Sequence, residues 1–174
     1  MRATADIITA LVAAMNTAQW TPEGGDPEPA FAVVKPFDST DLPAAFAELL
    51  VTEQRVALIV YTGDDFEDAN SGPGQVEVRR AAQISILVSD RVLGKRQEAI
   101  FGSATHPGAL RLKDIALAAV AGPLCAQPEA VDCRPVHAEP LILEDLKKKQ
   151  PGRVAYLVDL ECSDQVAESF PDPD

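Results

Sequence analysis

Cysteine is scarce in this chain, and what there is follows no ligand pattern: Cys125, Cys133 and Cys162 are odd in number and contain no CxxC pair. Such spacing indicates neither a zinc knuckle nor a disulfide framework, so all three read as small buried hydrophobes in a reducing cytoplasm. Long hydrophobic runs are missing too. Although 47% of the 174 residues are hydrophobic, no run approaches the ~20 that span a bilayer, and no membrane is expected as a partner. The opening stretch MRATADIITALVAAMNTAQW is interrupted by Asp6, Asn16 and Gln19, where a secretory leader would stay apolar; it reads as a helix of the mature protein. Positive charge is short, with 15 Lys and Arg against 27 Asp and Glu and a net charge of −12. That balance opposes adhesion to phosphates and anionic lipid, so no broad DNA-binding face is expected. Histidine occurs at positions 106 and 137 alone. Neither neighbours a nucleophile, although Ser103 or a cysteine could still meet one in space; a structural role is the commoner one for isolated histidines. No GxGxxG or GxxxxGK[ST] loop is present, and no cofactor is indicated.

What the chain does contain is well-patterned secondary structure. Ile7, Ile8, Leu11, Val12 and Met15 form the apolar stripe of a first helix, and TPEGGDPEP (21–29) reads as a connecting loop. FAVVK (31–35) predicts a short strand ended by Pro36. DSTDLPAAFAELL then carries cap candidates, Pro43 in the first turn and a helical stripe. RVALIVYT (55–62), apolar on both alternating faces, predicts a central strand covered on both sides. Val76, Val78, Ala82, Ile84, Ile86 and Val88 share one parity over 76–90, a strand that would run nearly 50 Å at about 3.3 Å per residue. It overshoots an ordinary domain and predicts an arm, with Arg80 marking where the arm leaves the core. An extended piece at 99–102 and a helix at 108–120 stopped by Gly122 and Pro123 follow. Strands at 131–143, made an edge or a bulged strand by Pro135 and Pro140, and at 153–162 close the chain, with KKKQPG between them as a hairpin loop. The expected fold is α+β: a mainly antiparallel sheet with helices packed on it and a long β-hairpin arm. One domain over 1–174 is expected, with 164–174 as a flexible acidic tail; the stretch 159–174 holds six acids and no base.

Two charged segments stand out as sites. DDFEDANSGPG (64–74) places Asp64, Asp65, Glu67 and Asp68 within five positions and reads as an acidic loop near the tip of the arm. An EF-hand frame started at Asp64 puts Phe66 at the third ligand position, and one started at Asp68 puts Pro73 at the sixth and Arg79 at the twelfth. Both frames fail. Paired carboxylates could still serve a small metal-dependent enzyme of phosphoesterase type, but no phosphate loop accompanies them. Lys147, Lys148, Lys149 and Arg153 form a basic island. A lysine run in a hairpin loop is usually a solvated turn, and otherwise meets an acidic partner or DNA. Facing the acids of another copy, it would make a head-to-tail contact that closes into a ring if its rotation divides evenly into a circle. Trp20 and Phe66 read as a packing residue and a loop anchor.

The order of elements, with the N-terminal helix, RVALIVYTG and its polar loop, VEVRRAAQISILVSDR and the closing AYLVDLEC, resembles the tail terminator, or tail completion, proteins of Mu-like and lambda-like phages and prophages. The resemblance covers about residues 5–163 and includes no catalytic motif, so no residue role is carried over. It implies a non-enzymatic virion protein, assembled in the bacterial cytoplasm: a homo-oligomer, expected as a hexameric ring at the end of the tail. Its implied partners are the tail tube protein, the head–tail connector, and DNA passing through the lumen without specific binding. The proline-rich 21–29 loop and the acidic tail depart from shorter members. A monomeric α+β protein-binding module is the remaining alternative to the structural and enzymatic readings.

Overall fold

A computed structural model describes residues 4–37, 42–49, 54–72, 75–92, 95–121, 132–141, 152–163 and 168–171. Cys125, the Lys147–Lys149 island and the turn at 73–74 lie outside them.

The first helix, α1 (Thr4–Asn16), follows its predicted stripe and buries Ile7, Leu11, Ala14 and Met15. The 21–29 loop is then closed by a two-residue ladder: β1 (Gln19–Trp20) pairs antiparallel with β2 (Glu28–Pro29). Trp20 is buried there, and its indole Nε1–H donates to Glu28 Oε1 at 2.7 Å. Strand β3 (Val33–Phe37) does not end at Pro36 as its sequence predicts, but runs through it. It can do so because among the described residues it pairs with β4 (Val56–Gly72) alone, in parallel, and the proline's missing N–H falls on the outer edge. Between these strands α2 (Leu42–Leu49) packs against β4, and Lys35 of β3 bonds Glu48 of α2.

The sheet order is β3-β4-β5-β7-β6, where β5 is Gln75–Arg91, β6 Asp132–Leu141 and β7 Arg153–Ser163. All pairs among β4, β5, β7 and β6 are antiparallel. Alternation divides the strands between two cores. Ala57, Ile59, Ala82, Ile84, Ile86, Val88, Val158 and Leu160 face α1 and α4 (Gly108–Ala121), meeting Leu11, Met15, Leu112, Ala116 and Val120. On the other face Val56, Leu58, Val60, Leu87, Ala155 and Leu157 meet Ala45 of α2. Residues Val56 to Val60 are fully buried, as a strand apolar on both parities requires. The fold is thus α+β, with helices on both faces of a mostly antiparallel sheet.

Three local expectations are corrected. The stretch 99–102 is not extended: α3 (Arg96–Phe101) forms there, with a Lys95–Glu98 ion pair three residues apart and Ala99 buried beneath it. Cys133 and Cys162, read as unpaired, sit opposite one another on β6 and β7 and are joined as a disulfide. The 29-residue separation in sequence hides a pairing that only the long-range ladder creates. Finally, the terminal segment is not all free tail, because β8 (Glu168–Pro171) pairs antiparallel with Gln75–Val78 of β5.

The two margins of the sheet differ. On β6, Pro135 and Pro140 lie opposite Leu160 and Tyr156, and the ladder shifts register between Pro135 and His137, so the strand is both an edge among the described residues and bulged. A proline persists in a ladder only where its nitrogen points away from the partner strand, so the outer margin of β6 lacks donors at both places. On the other side β3 covers β4 only from Val56 to Val60. From Tyr61 to Gly72 the outer margin of β4 has no pairing partner among the described residues.

The junction of α3 and α4 depends on backbone touching backbone. Gly102 and Gly108 both have positive φ, 82° and 74°, and a Cβ on Gly108 would overlap the Gly102 backbone. Ser103 and His106 close the turn between them by two mutual backbone hydrogen bonds. Gly108→Ala is therefore expected to cost about 3 kcal/mol or more, combining overlap with a disfavoured φ. Urea denaturation measures this; a loss below about 1 kcal/mol would show that the junction can open without penalty.

Candidate functional site

The acids read as a loop are on a strand. β4 continues through Asp64, Asp65, Phe66, Glu67 and Asp68 to Gly72, paired with β5 as far as Gly72 opposite Gln75. Acidic residues favour strands poorly. Here the strongly patterned β5 supplies the ladder, and two register shifts, at Tyr61/Gly63 and Asp68/Asn70, absorb the misfit. Thr62 is the extra residue of the first shift, and its hydroxyl donates to the Gln83 carbonyl at 3.1 Å.

Strand alternation then separates the four carboxylates. Asp64 turns to the α1 side, where its Oδ1 lies 2.8 Å from Arg80 Nε. Arg80 also donates to the Thr4 hydroxyl at the start of α1. The Asp64 carboxylate beside it raises the Arg80 guanidinium's pKa, and also pushes the Tyr61 phenol up, with burial adding to the second shift. Arg80 thus marks the root of the arm as its parity predicts: it pins the point where the hairpin leaves the core to the first turn of α1. Asp65 and Glu67 turn to the opposite face and are exposed, Asp65 accepting from Gln83 Nε2 at 3.0 Å. Phe66, on the Asp64 side, is 64% exposed rather than a buried anchor. The side chain of Asp68 is outside the described set. Asp64 and Asp65 thus cannot share one ion, and no group of three His, Cys, Asp or Glu positioned for a metal occurs among the described residues.

On the Asp65 face, past the cover of α2, the sheet becomes polar. Ser85 donates to Asp159 at 2.6 Å, Arg134 pairs with Glu161 at 3.2 Å, and a cleft of about 330 Å³ is lined by Glu67, Ala81, Asp132, Arg134, Glu161 and Ser163. Three carboxylates against one guanidinium make this face acidic.

At the far end of β5 lies a second polar group that sequence reading missed. Asp90, fully buried, has His106 Nε2 at 2.9 Å from Oδ1 and 2.8 Å from Oδ2, and accepts the Arg91 N–H at 2.7 Å. Burial raises the Asp90 carboxyl above its ordinary value, opposed by His106. Among the described residues no nucleophile stands beside this pair as a triad would need: Ser103 meets His106 through backbone, and Cys133 and Cys162 are bonded to each other. Arg153, expected on the surface with the basic island, is only 5% exposed; its Nη1 donates to Ser89 Oγ at 3.0 Å. Burial, and then Arg91 nearby, lower its pKa to about 10. The same end carries the Trp20–Glu28–Arg55 chain of bonds, with Arg55 Nη1 at 2.7 Å from Glu28 Oε1. Arg55 and then Trp20 lower the Glu28 carboxyl. The other histidine, His137, is exposed on β6, 3.6 Å from Glu139.

No protein-family model matches the chain, and no curated protein does. Among solved structures it is similar to the sheath/tube terminator of PVC, an extracellular contractile injection system, in the extended state. The identity is 12% and the TM-score 0.40, over 100% of this chain and 61% of that one. No helix among the described residues is long and apolar enough to cross a membrane.

Two substitutions test these clusters. Arg80→Ala leaves Asp64 and Tyr61 without their cation and is expected to cost about 1–3 kcal/mol, with faster amide exchange through the arm root. Unchanged exchange would mean that the pin does not hold the arm. For Asp90 the folded-state pKa lies above its ordinary 3.8. Its contribution to stability is therefore present below that value and lost as the pH rises through the raised one. Stability of the native chain relative to Asp90→Asn should fall across that window, measured by urea midpoints from about pH 4 to pH 7. A constant difference would show that His106 fully offsets the burial.

Proposed function

We propose that this chain, as a single domain, is a structural assembly protein, a phage or prophage tail terminator without enzymatic turnover. Its copies form a hexameric ring at the end of the tail tube, stop tube polymerisation and present the surface to which the head–tail connector docks. The observation that carries this reading is the β4–β5 arm. Two strands of 17 residues continue past the helices that cover the core; beyond Ala81, where β7 ends, the four residues of β8 are what joins them among the described residues. A ribbon of two or three strands with little core of its own is marginally stable in water, so an arm of this length is best explained by a partner that buries it. The placement of the acids suits the same role. Asp65 and Glu67 are exposed on a net −12 protein, and such a surface lining a lumen would repel DNA phosphates and let the genome pass without sticking. The sequence texture shared with tail terminators agrees with both points.

Native mass spectrometry of the purified chain, alone and with tail tubes, tests the proposal. The expected species is a hexamer, formed in solution or on the tube end, with tube growth stopped. A chain that stays monomeric in both samples and leaves tube length unchanged would sink the reading. Stoichiometric uptake of a divalent ion by that monomer would revive the metal-dependent enzyme.

A further inference from the structure

We propose that the open margin of β4 at Gly63–Asp68 receives, as an added antiparallel strand, the segment 146–150 of a second copy of this chain. The inference rests on the assembly reading above and names the contact that joins the copies.

The margin is built to be paired. Between its two register shifts β4 is regular, and along this stretch only β5 is bonded to it among the described residues. Backbone N–H and C=O groups on the other side face outward, a ready template for another strand. Self-pairing of two such margins is opposed by charge, since Asp64, Asp65, Glu67 and Asp68 would meet their own copies. The incoming strand must be basic.

This chain contains one such segment, Leu146-Lys147-Lys148-Lys149-Gln150. In a strand, Lys147 and Lys149 fall on one face and Lys148 on the other. The register that sets Lys147 across from Glu67 sets Lys149 across from Asp65 and Lys148 across from Phe66. Both lysines of the first face then meet the two exposed carboxylates. On the other face Lys148 would come across from Phe66, which is exposed, a pairing whose chemistry allows stem cover and a cation–π contact.

The segment cannot come from the same copy. The 142–152 connection leaves the sheet at Leu141 and returns at Arg153, which pairs with Arg91. Asp65 pairs with Ala81, about 33 Å from Arg91 along β5 at roughly 3.3 Å per residue. A connection that must go out and return strays at most about 20 Å from the sheet end, even fully extended. The connection that carries the basic segment is therefore attached at the end of the sheet opposite the acidic margin, and a meeting of the two is head-to-tail between copies.

Charge exchange combined with amide exchange tests this on the full chain. Association should slow exchange at residues 63–68 and 146–150 about tenfold or more. Lys147→Glu/Lys149→Glu should weaken association about tenfold or more, and adding Asp65→Lys/Glu67→Lys should restore it. An oligomer whose 63–68 amides exchange as fast as in the monomer, or one indifferent to the double lysine change, overturns the strand addition while leaving the ring standing. A chain monomeric alone and on tail tubes overturns both.

Discussion

The ladder between β4 and β5 sets the position of nearly everything else. It begins with Val56 opposite Ser89 and ends with Gly72 opposite Gln75, so its two strands are neighbours in sequence and meet through one short reversal. Side-chain period along a strand is two, and a slip of one residue would turn Ile84, Ile86 and Val88 from the α1–α4 core to the α2 face. The register is thus held by hydrophobic burial on both faces near Val56–Val60, where the helices cover it. Beyond Tyr61 that hold is replaced by the bulge at Thr62 and the Asp64–Arg80–Thr4 bonds. The hand-over from apolar to polar constraint occurs where the core ends and the arm starts.

The same hand-over explains the polar groups. At the covered end, Asp90 is held by His106 and a backbone N–H, and Arg153 is held by Ser89. These groups fix the α3–α4 turn and the start of β7 against the end of β5, where burial makes a lost partner costly. At the arm end the charges are exposed. Asp65 and Glu67, on the open face, contribute little to the stability of one copy, and in the contact proposed above they would set its choice of partner.

How much of this was legible in the residues themselves follows from the range of the interactions involved. The stripe of α1, the double apolar parity of 55–62 and the single parity of 76–90 each lie within one segment, and each element forms where its period places it. Arg80 betrayed the arm root by standing on the wrong parity. The acidic stretch was misread as a loop because aspartate and glutamate disfavour strands, while the pairing that overrides them comes from β5. Three other features depend on contacts across the fold and leave no local trace. These are the Cys133–Cys162 pair on facing strands, the burial of Arg153 beside its exposed-looking lysine run, and the Asp90–His106 pair. Helix α3 failed for a smaller reason: six residues carry too little periodicity to be told from an extended piece.

The prolines of β6 have a consequence for behaviour at high concentration. Sheets with two receptive margins can propagate indefinitely by edge-to-edge pairing, which at high concentration means fibre growth. With donors missing at Pro135 and Pro140, edge-to-edge growth through the β6 margin meets a break at every copy. The two margins thus behave differently as templates: β4 from Tyr61 to Gly72 presents a row of backbone groups without a pairing partner among the described residues, while the β6 margin is broken at two places.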